Sequence, residues 1–280
     1  MGSEMSDHVE LNAPVARVVR EIFGSVASLA VVGPLREVGV EAAFARLDEI
    51  DARLSPYRID SEVSRIRDGA LAPAEAHPET RWILAACEAL REESGGLFDA
   101  RIAGVDGRLD PSGYVKGWAI GEAHRILIAA GMENCAFGIG GDVAASGEGP
   151  GGAGWVVGIA DPRAPDGAIF ARIELSDSTF STSGDYERAF VKNGVRYHHI
   201  LDPATGQPGR LCRSVTILAP QGVMAEGLSK GVFLLGPEEG LKLVAQAGAQ
   251  AIIVDAANQV HMSEGLKGKV EIVHPPTEGI

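Results

Sequence analysis

Segment 193–209, NGVRYHHILDPATGQPG, gathers more side chains able to act on a ligand than any other stretch of this chain. Its two imidazoles, His198 and His199, titrate near neutrality and can move protons. Asp202-Pro203 and the Gly- and Pro-rich residues that follow supply a carboxylate and a loop. Asn193-Gly194 between apolar residues predicts a two-residue hairpin turn, because both residues tolerate the positive φ that a type I′ turn demands. On the strand that follows, predicted over 196–201, side chains alternate between faces. His198 and His199 therefore point apart, and only one of them can face a ligand. Read locally, both histidines and Asp202-Pro203 are equally consistent with a polar strand end that starts a turn.

Four further segments carry chemistry-bearing residues. Leu54-Ser-Pro-Tyr57 runs into Asp60-Ser-Glu-Val63, where Asp60 or Ser61 can cap a short helix. Gly96-Leu97-Phe98-Asp99 puts an acid beside an aromatic ring just after a helical pattern. Asp110-Pro-Ser-Gly113-Tyr-Val-Lys116-Gly117 sets an acid and a lysine around a Gly turn that opens a helix, a geometry suited to anions. Ser181-Thr-Ser-Gly-Asp-Tyr186 offers small hydroxyls at a strand-to-turn junction. Gly138-Ile-Gly-Gly-Asp-Val143 fails as a dinucleotide fingerprint, since the third glycine is missing and the residues that follow are too Gly-interrupted to form a helix.

The elements that must position these residues follow from periodicity. Helical patterns cover 37–54, 79–94, 118–130, 223–235 and 238–247, the last two divided by Gly236-Pro237. Strands are predicted at 25–32, 155–159, 169–175, 187–192, 196–201, 214–219 and 251–254. A strand-rich middle flanked by helices predicts an α+β roll with a mixed, largely antiparallel central sheet. Residues 1–22 read as an N-terminal extension and 23–280 as one domain. With 45% apolar residues a sizeable core can form, and a net charge of −13 argues against a nucleic-acid surface. Three cysteines without C-x-x-C spacing support neither a disulfide framework nor a cysteine zinc site. No run approaches the ~20 apolar residues of a membrane span, and the first 22 residues lack an apolar signal region, so the sequence reads as cytoplasmic.

In their order along the chain these motifs resemble the ApbE family of FAD:protein FMN transferases. The resemblance is carried by Leu54-Ser-x-Tyr57, Ser61-Glu62, Gly96-x-Phe98-Asp99, Asp110 with Lys116-Gly117, Gly140-Gly141-Asp142, Ser183-Gly-Asp-Tyr186 and His199-Ile-Leu-Asp-Pro-x-Thr-Gly206, and it spans residues 23–236. It implies a single α+β domain that binds FAD and, with Mg²⁺, moves the FMN half onto a threonine of an acceptor protein, releasing AMP. It assigns Phe23, Tyr57, Leu97, Phe98, Asp99, Asp110, Lys116 and Ile200 to the FAD site and puts His199 at the reacting diphosphate. Phe23-Gly24-Ser25 stands where family members usually have Met-Gly-Thr. Most members act outside the cytoplasm, a further difference from the reading above.

One departure falls on the implied metal site. Members typically carry Ala-Asp-Ala-x-x-Thr, whose Asp and Thr hold Mg²⁺ with a backbone carbonyl matching Gly113. This chain has Ala225-Glu226-Gly-Leu-Ser-Lys230. Glu226 still offers oxygen, but an ammonium cannot ligate a metal and repels one. Three outcomes compete: a surface ion pair between Glu226 and Lys230, four residues apart on a helix; a Lys230 ammonium replacing Mg²⁺ in a working transferase; or an FAD-binding protein without transfer. Hydrolysis of FAD to FMN and AMP is a further alternative.

Overall fold

The computed structural model describes residues 15–101, 109–164, 167–187, 189–192, 195–202 and 205–279. The Asn193-Gly194 turn, Pro203 and residues 1–14 lie outside the described residues. The chain opens with an antiparallel pair, β1 (Val15–Ile22) and β2 (Ser25–Val32), so residues 15–22 belong to the sheet rather than to an extension outside it. Then follow α1 (Glu37–Leu54), α2 (Glu62–Arg67), α3 (Pro78–Glu93) and α4 (Ser112–Ala129). The middle supplies β3 (Cys135–Ile139), β4 (Asp142–Ser146), β5 (Trp155–Ala160), β6 (Ile169–Leu175), β7 (Ser178–Gly184), β8 (Phe190–Lys192) and β9 (Val195–Tyr197). After β10 (Cys212–Ala219) come α5 (Gly222–Gln246), β11 (Gln250–Asp255), β12 (Val260–Met262) and β13 (Val270–Ile272).

Eight strands form the central sheet in the order β1-β2-β3-β4-β7-β10-β11-β12, and every pairing within it is antiparallel. Apolar residues point to both faces. Ala27, Leu29 and Val31 of β2, with Phe137 and Ile139 of β3, meet Phe44, Leu47, Ile120 and Leu127 of α1 and α4. Val215 and Ile217 of β10, with Ala251 and Ile253 of β11, meet Val232, Phe233 and Val244 of α5. On the opposite face Phe180, Ile252 and Val254 pack against Trp155, Ile159, Phe170 and Ile173 of a small sheet ordered β13-β6-β5. The molecule is thus three layers, with the helices and the candidate residues on one side of the large sheet.

One helix boundary expected from the sequence moves. The helix expected from Trp118 begins at Ser112, because the Asp110 carboxylate accepts from the Ser112 N–H at 3.0 Å and starts the first turn. Lys116 is therefore a helical residue rather than one beyond a Gly turn. The Gly-rich 138–143 stretch is the β3–β4 hairpin, turning at Gly140 with φ 63°. The two helices expected on either side of Gly236-Pro237 are present as the two halves of α5, divided by a kink at Gly236, where φ is 77°.

Contact between α4 and α5 decides where the site lies. A Cβ on Gly117 would stand 2.5 Å from the Gly222 carbonyl oxygen, and a Cβ on Gly222 would collide in turn with Gly117. Only this glycine pair lets the backbones touch, which brings Lys116 beside the first turns of α5. Gly117→Ala should therefore lower the unfolding free energy by about 1–3 kcal/mol through overpacking, although alanine alone favours a helix by about 1 kcal/mol over glycine. Urea denaturation decides it: a stabilised variant would show that the close crossing does not constrain the helices.

Candidate functional site

An open cleft on the helical side is lined by Phe23, Tyr57, Leu97, Phe98, Asp99, Asp110, Gly113, Lys116, His199, Ile200 and Lys230. These residues, nominated from separate segments of sequence, converge on one place, and Glu226 lies beneath them against Lys116 and Lys230. Asp51, Leu54, Glu187 and Leu234 also line the cleft. Sequence reasoning gave none of those four a role: Leu54 stood only as a motif residue, and Asp51, Glu187 and Leu234 fell inside the expected helix or strand ranges.

Local structure explains how each wall is held. Phe23 and Gly24 form the two-residue turn between Ile22 and Ser25, with φ of 55° and 64°. Positive φ is costly for a bulky side chain, and here it carries the Phe23 ring into the cleft. Tyr57 is 65% exposed at the mouth. Its loop is pinned at the Pro56 carbonyl, which accepts from Ser64 Oγ at 3.3 Å and Arg67 Nη1 at 2.9 Å. Ser61, rather than Asp60, caps α2 by accepting from the Ser64 N–H. Glu62 accepts from the His77 N–H and from Thr80 Oγ1 at the start of α3. Ser61 and Glu62 therefore shape the loop from behind the cleft.

His198 and His199 do face different ways, but not through strand alternation: the strand expected over 196–201 ends as β9 at Tyr197, and both histidines lie in the irregular residues after it. His198 is buried, its Nε2 lies 2.9 Å from the Gly209 carbonyl oxygen, and its ring packs edge-on to Phe233. His199 faces the cleft, and its Nδ1 lies 3.2 Å from the Glu187 carbonyl oxygen. A carbonyl only accepts, so Nδ1 carries the hydrogen and Nε2 is the basic nitrogen.

Beneath the cleft sits a network of two lysines and two acids. Lys116 Nζ is 2.9 Å from Asp142 Oδ2 and 3.0 Å from Glu226 Oε1, while Lys230 Nζ pairs with Glu226 Oε2. Asp142 and Glu226 are both buried. Burial opposes the charge on Glu226, yet the two ammonium groups outweigh it and hold its carboxyl down at about 2. For Asp142 burial wins over Lys116, and with Glu226 nearby its carboxyl is pushed up to about 7, although the Thr182 N–H donates to it at 3.1 Å. Burial also works against the charge of Lys116, but Glu226 and Asp142 raise its pKa above the ordinary lysine value. Asp142 was visible in sequence only as the acid after Gly140-Gly141; its place beside Lys116 comes from the β3–β4 turn. Two hydroxyls of 181–186 serve the framework, Ser183 Oγ 2.8 Å from Ser229 Oγ and Thr182 Oγ1 2.9 Å from Thr216 Oγ1.

The residues assigned to Mg²⁺ do meet, but around an ammonium. A Cβ on Gly113 would come within 3.1 Å of Lys230 Nζ, whose other neighbour is the Glu226 carboxylate. Among the described residues no three His, Cys, Asp or Glu side chains are grouped to hold a metal ion. Mg²⁺ asks for oxygen donors in near-octahedral array, and both Glu226 oxygens are engaged by lysines. Two unit charges 4 Å apart repel by about 4 kcal/mol at an effective dielectric near 20, and a dication doubles that against each ammonium. This donor set does not fit Mg²⁺.

Comparison with known proteins places this geometry. A family model described as "ApbE family" matches residues 23–106 and 103–253. A protein of Vibrio cholerae serotype O1 named FAD:protein FMN transferase is 35% identical over 147 residues, 52% of this chain and 44% of that protein. One of the same name from Treponema pallidum is 30% identical over 189 residues, 64% of this chain and 52% of its own. The chain spans about half the length of these curated relatives. The crystal structure of an ApbE protein from Thermotoga maritima superposes with a TM-score of 0.80 at 28% identity, covering 91% of this chain and 99% of that one.

Two outcomes follow from the network. Asp142 has a folded-state pKa above its ordinary 3.8, so its contribution to stability is present below pH 3.8 and is lost as pH rises through about 7. Asp142→Asn should remove that part of the pH dependence of unfolding between pH 4 and 7, and an unchanged slope would refute the assignment. Gly113→Ala should weaken the fold or the lysine's seat while Lys230 is present. In a Lys230→Ala background the same change should stabilise α4, by about 1 kcal/mol at most, which a double-mutant cycle by thermal denaturation measures.

Proposed function

The chain belongs to the ApbE family, and on that premise we propose that it binds FAD in this cleft and transfers the FMN half to a threonine hydroxyl of an acceptor protein, releasing AMP. The observation that carries the reading is the convergence of the nominated residues on one cleft that combines apolar walls, two ammonium groups and His199. Phe23, Leu97, Phe98, Ile200 and the exposed Tyr57 offer surface for a planar flavin or adenine ring. Lys116 and Lys230 offer positive charge to a diphosphate. The start of α4 at Ser112 and Gly113 adds the positive end of a helix to the same cleft.

The reaction is transfer at phosphorus. Little covalent work falls to the protein, so positioning the acceptor oxygen and neutralising phosphate charge dominate. Nε2 of His199 is the group suited to take the proton of the attacking hydroxyl, because the Glu187 carbonyl fixes the tautomer with hydrogen on Nδ1. Lys116 is positioned by α4 and braced by Asp142 and Glu226 at the floor of the cleft.

Incubation with FAD and a threonine-bearing acceptor peptide, with products followed by mass spectrometry, tests the reading. Flavinylated peptide and AMP in equal amounts are expected. Free FMN with AMP would make the protein an FAD hydrolase, and intact bound FAD would make it a flavin-binding protein. His199→Ala should slow transfer by about 10²–10⁴-fold, the usual worth of a general base, while FAD still quenches on binding. An unaffected rate would remove His199 from proton transfer.

A further inference from the structure

Glu226 is 3% exposed, and each of its carboxylate oxygens already faces an ammonium, Lys116 Nζ on Oε1 and Lys230 Nζ on Oε2. Lys230 Nζ also lies 3.5 Å from the Glu226 backbone oxygen and against the position a Gly113 Cβ would take. The ammonium is thus lodged between the first turn of α4 and the opening turns of α5, with its side chain still lining the cleft. Asp142 holds Lys116 from its other side at 2.9 Å. Two cations balance two buried carboxylates, and neither carboxylate is left over for a dication.

We propose that Lys230 is the resident cation of this site, a fixed monovalent charge standing where a divalent ion would bind, so that FAD is held and its diphosphate is activated without a divalent metal. The inference rests on the FAD-handling reading above. In the transfer step the threonine oxygen forms a bond to the phosphorus of the FMN half. The bond from that phosphorus to the bridging oxygen breaks, AMP departs with the electron pair, and the hydroxyl proton passes to His199. Lys116 and Lys230 each present an ammonium and its N–H donors to the ionised diphosphate, while the buried carboxylates hold them from beneath. An ammonium acts as a compact point charge with three donors and makes no bridging bonds to oxygen. The site therefore trades the stronger field of a dication for a charge that is always present.

Protein stripped with EDTA and gel-filtered is titrated with FAD by fluorescence quenching, with and without added Mg²⁺, and Mg²⁺ alone is titrated into the protein by calorimetry. FAD affinity should agree within about twofold under both conditions, with no saturable heat from Mg²⁺. Lys230→Thr combined with Glu226→Asp should lose about tenfold or more in FAD affinity without metal, then regain it with Mg²⁺ together with a saturable Mg²⁺ heat. Lys230→Met, which keeps the length and removes the charge, should lose affinity with no recovery. FAD binding by the unmodified protein that requires Mg²⁺, or saturable Mg²⁺ binding to it, overturns the inference and leaves the FAD-handling reading standing. Failure of FAD to bind under every condition overturns both, and the unmodified protein decides the matter even where a variant does not fold.

Discussion

An ionised carboxylate shut away from the surface has to be paired, and Glu226, 3% exposed between two lysines, is that carboxylate. Leaving it unpaired in this interior would cost several kcal/mol, far more than an exposed ion pair returns. Its two oxygens are met from two different helices, Lys116 on α4 and Lys230 on α5. Both helices must therefore arrive at one depth and one angle, and the Gly117–Gly222 contact sets both. The charge network and the helix crossing thus specify each other, and the cleft is the space left above them.

The rest of the fold serves this junction. The antiparallel sheet gives α5 an apolar floor through Val215, Ile217 and Ile253. It also carries Asp142 to Lys116 at the start of β4, just past the Gly140 turn. The small sheet covers the opposite face around Phe180, Ile252 and Val254, so the middle of the large sheet is buried on both sides and cannot flex toward the cleft without opening a core. The walls of the cleft come from segments that join elements, where backbone freedom lets side chains face one centre: the Phe23-Gly24 turn, the loop holding Tyr57, the 97–99 segment and the residues after β9. Strain at Phe23 is tolerated because the fully paired β1–β2 ladder fixes the turn on both sides.

Asp142 and Glu226 illustrate how one environment separates two similar groups. Both are buried beside Lys116. Glu226 has a second ammonium against it and stays ionised to about 2, while Asp142 has one and is driven toward about 7 by its burial and by the charge of Glu226. Glu226 is thus the anion that anchors both lysines, while Asp142 is the acid whose charge burial disfavours.

Periodicity alone carried most of the architecture. Helix α1 and strands β2 and β6 fall where the apolar spacing puts them, because their patterns are uninterrupted and bounded by glycine, proline or charge. The motif residues of the cleft could be named from their order in the chain, whereas the separation of His198 from His199 arises after β9 ends at Tyr197, where strand alternation no longer applies. Other features were not legible. The strand β1 has no turn signal before it, β3 and β4 are hidden by small residues and glycines, and the first turn of α4 is disguised by Pro111 and Gly113. Sequence showed that Lys230 stands four residues after Glu226, a spacing that by itself fits a surface pair, and only the resemblance put both at an implied metal site. Only the tertiary structure decided that both lie under a cleft, that Lys116 shares the same carboxylate from another helix, and that Gly113 closes over the ammonium. Spacing along a helix fixes which residues can touch on that helix; what lies opposite depends on how closely two backbones pack, and that is settled only by the assembled core.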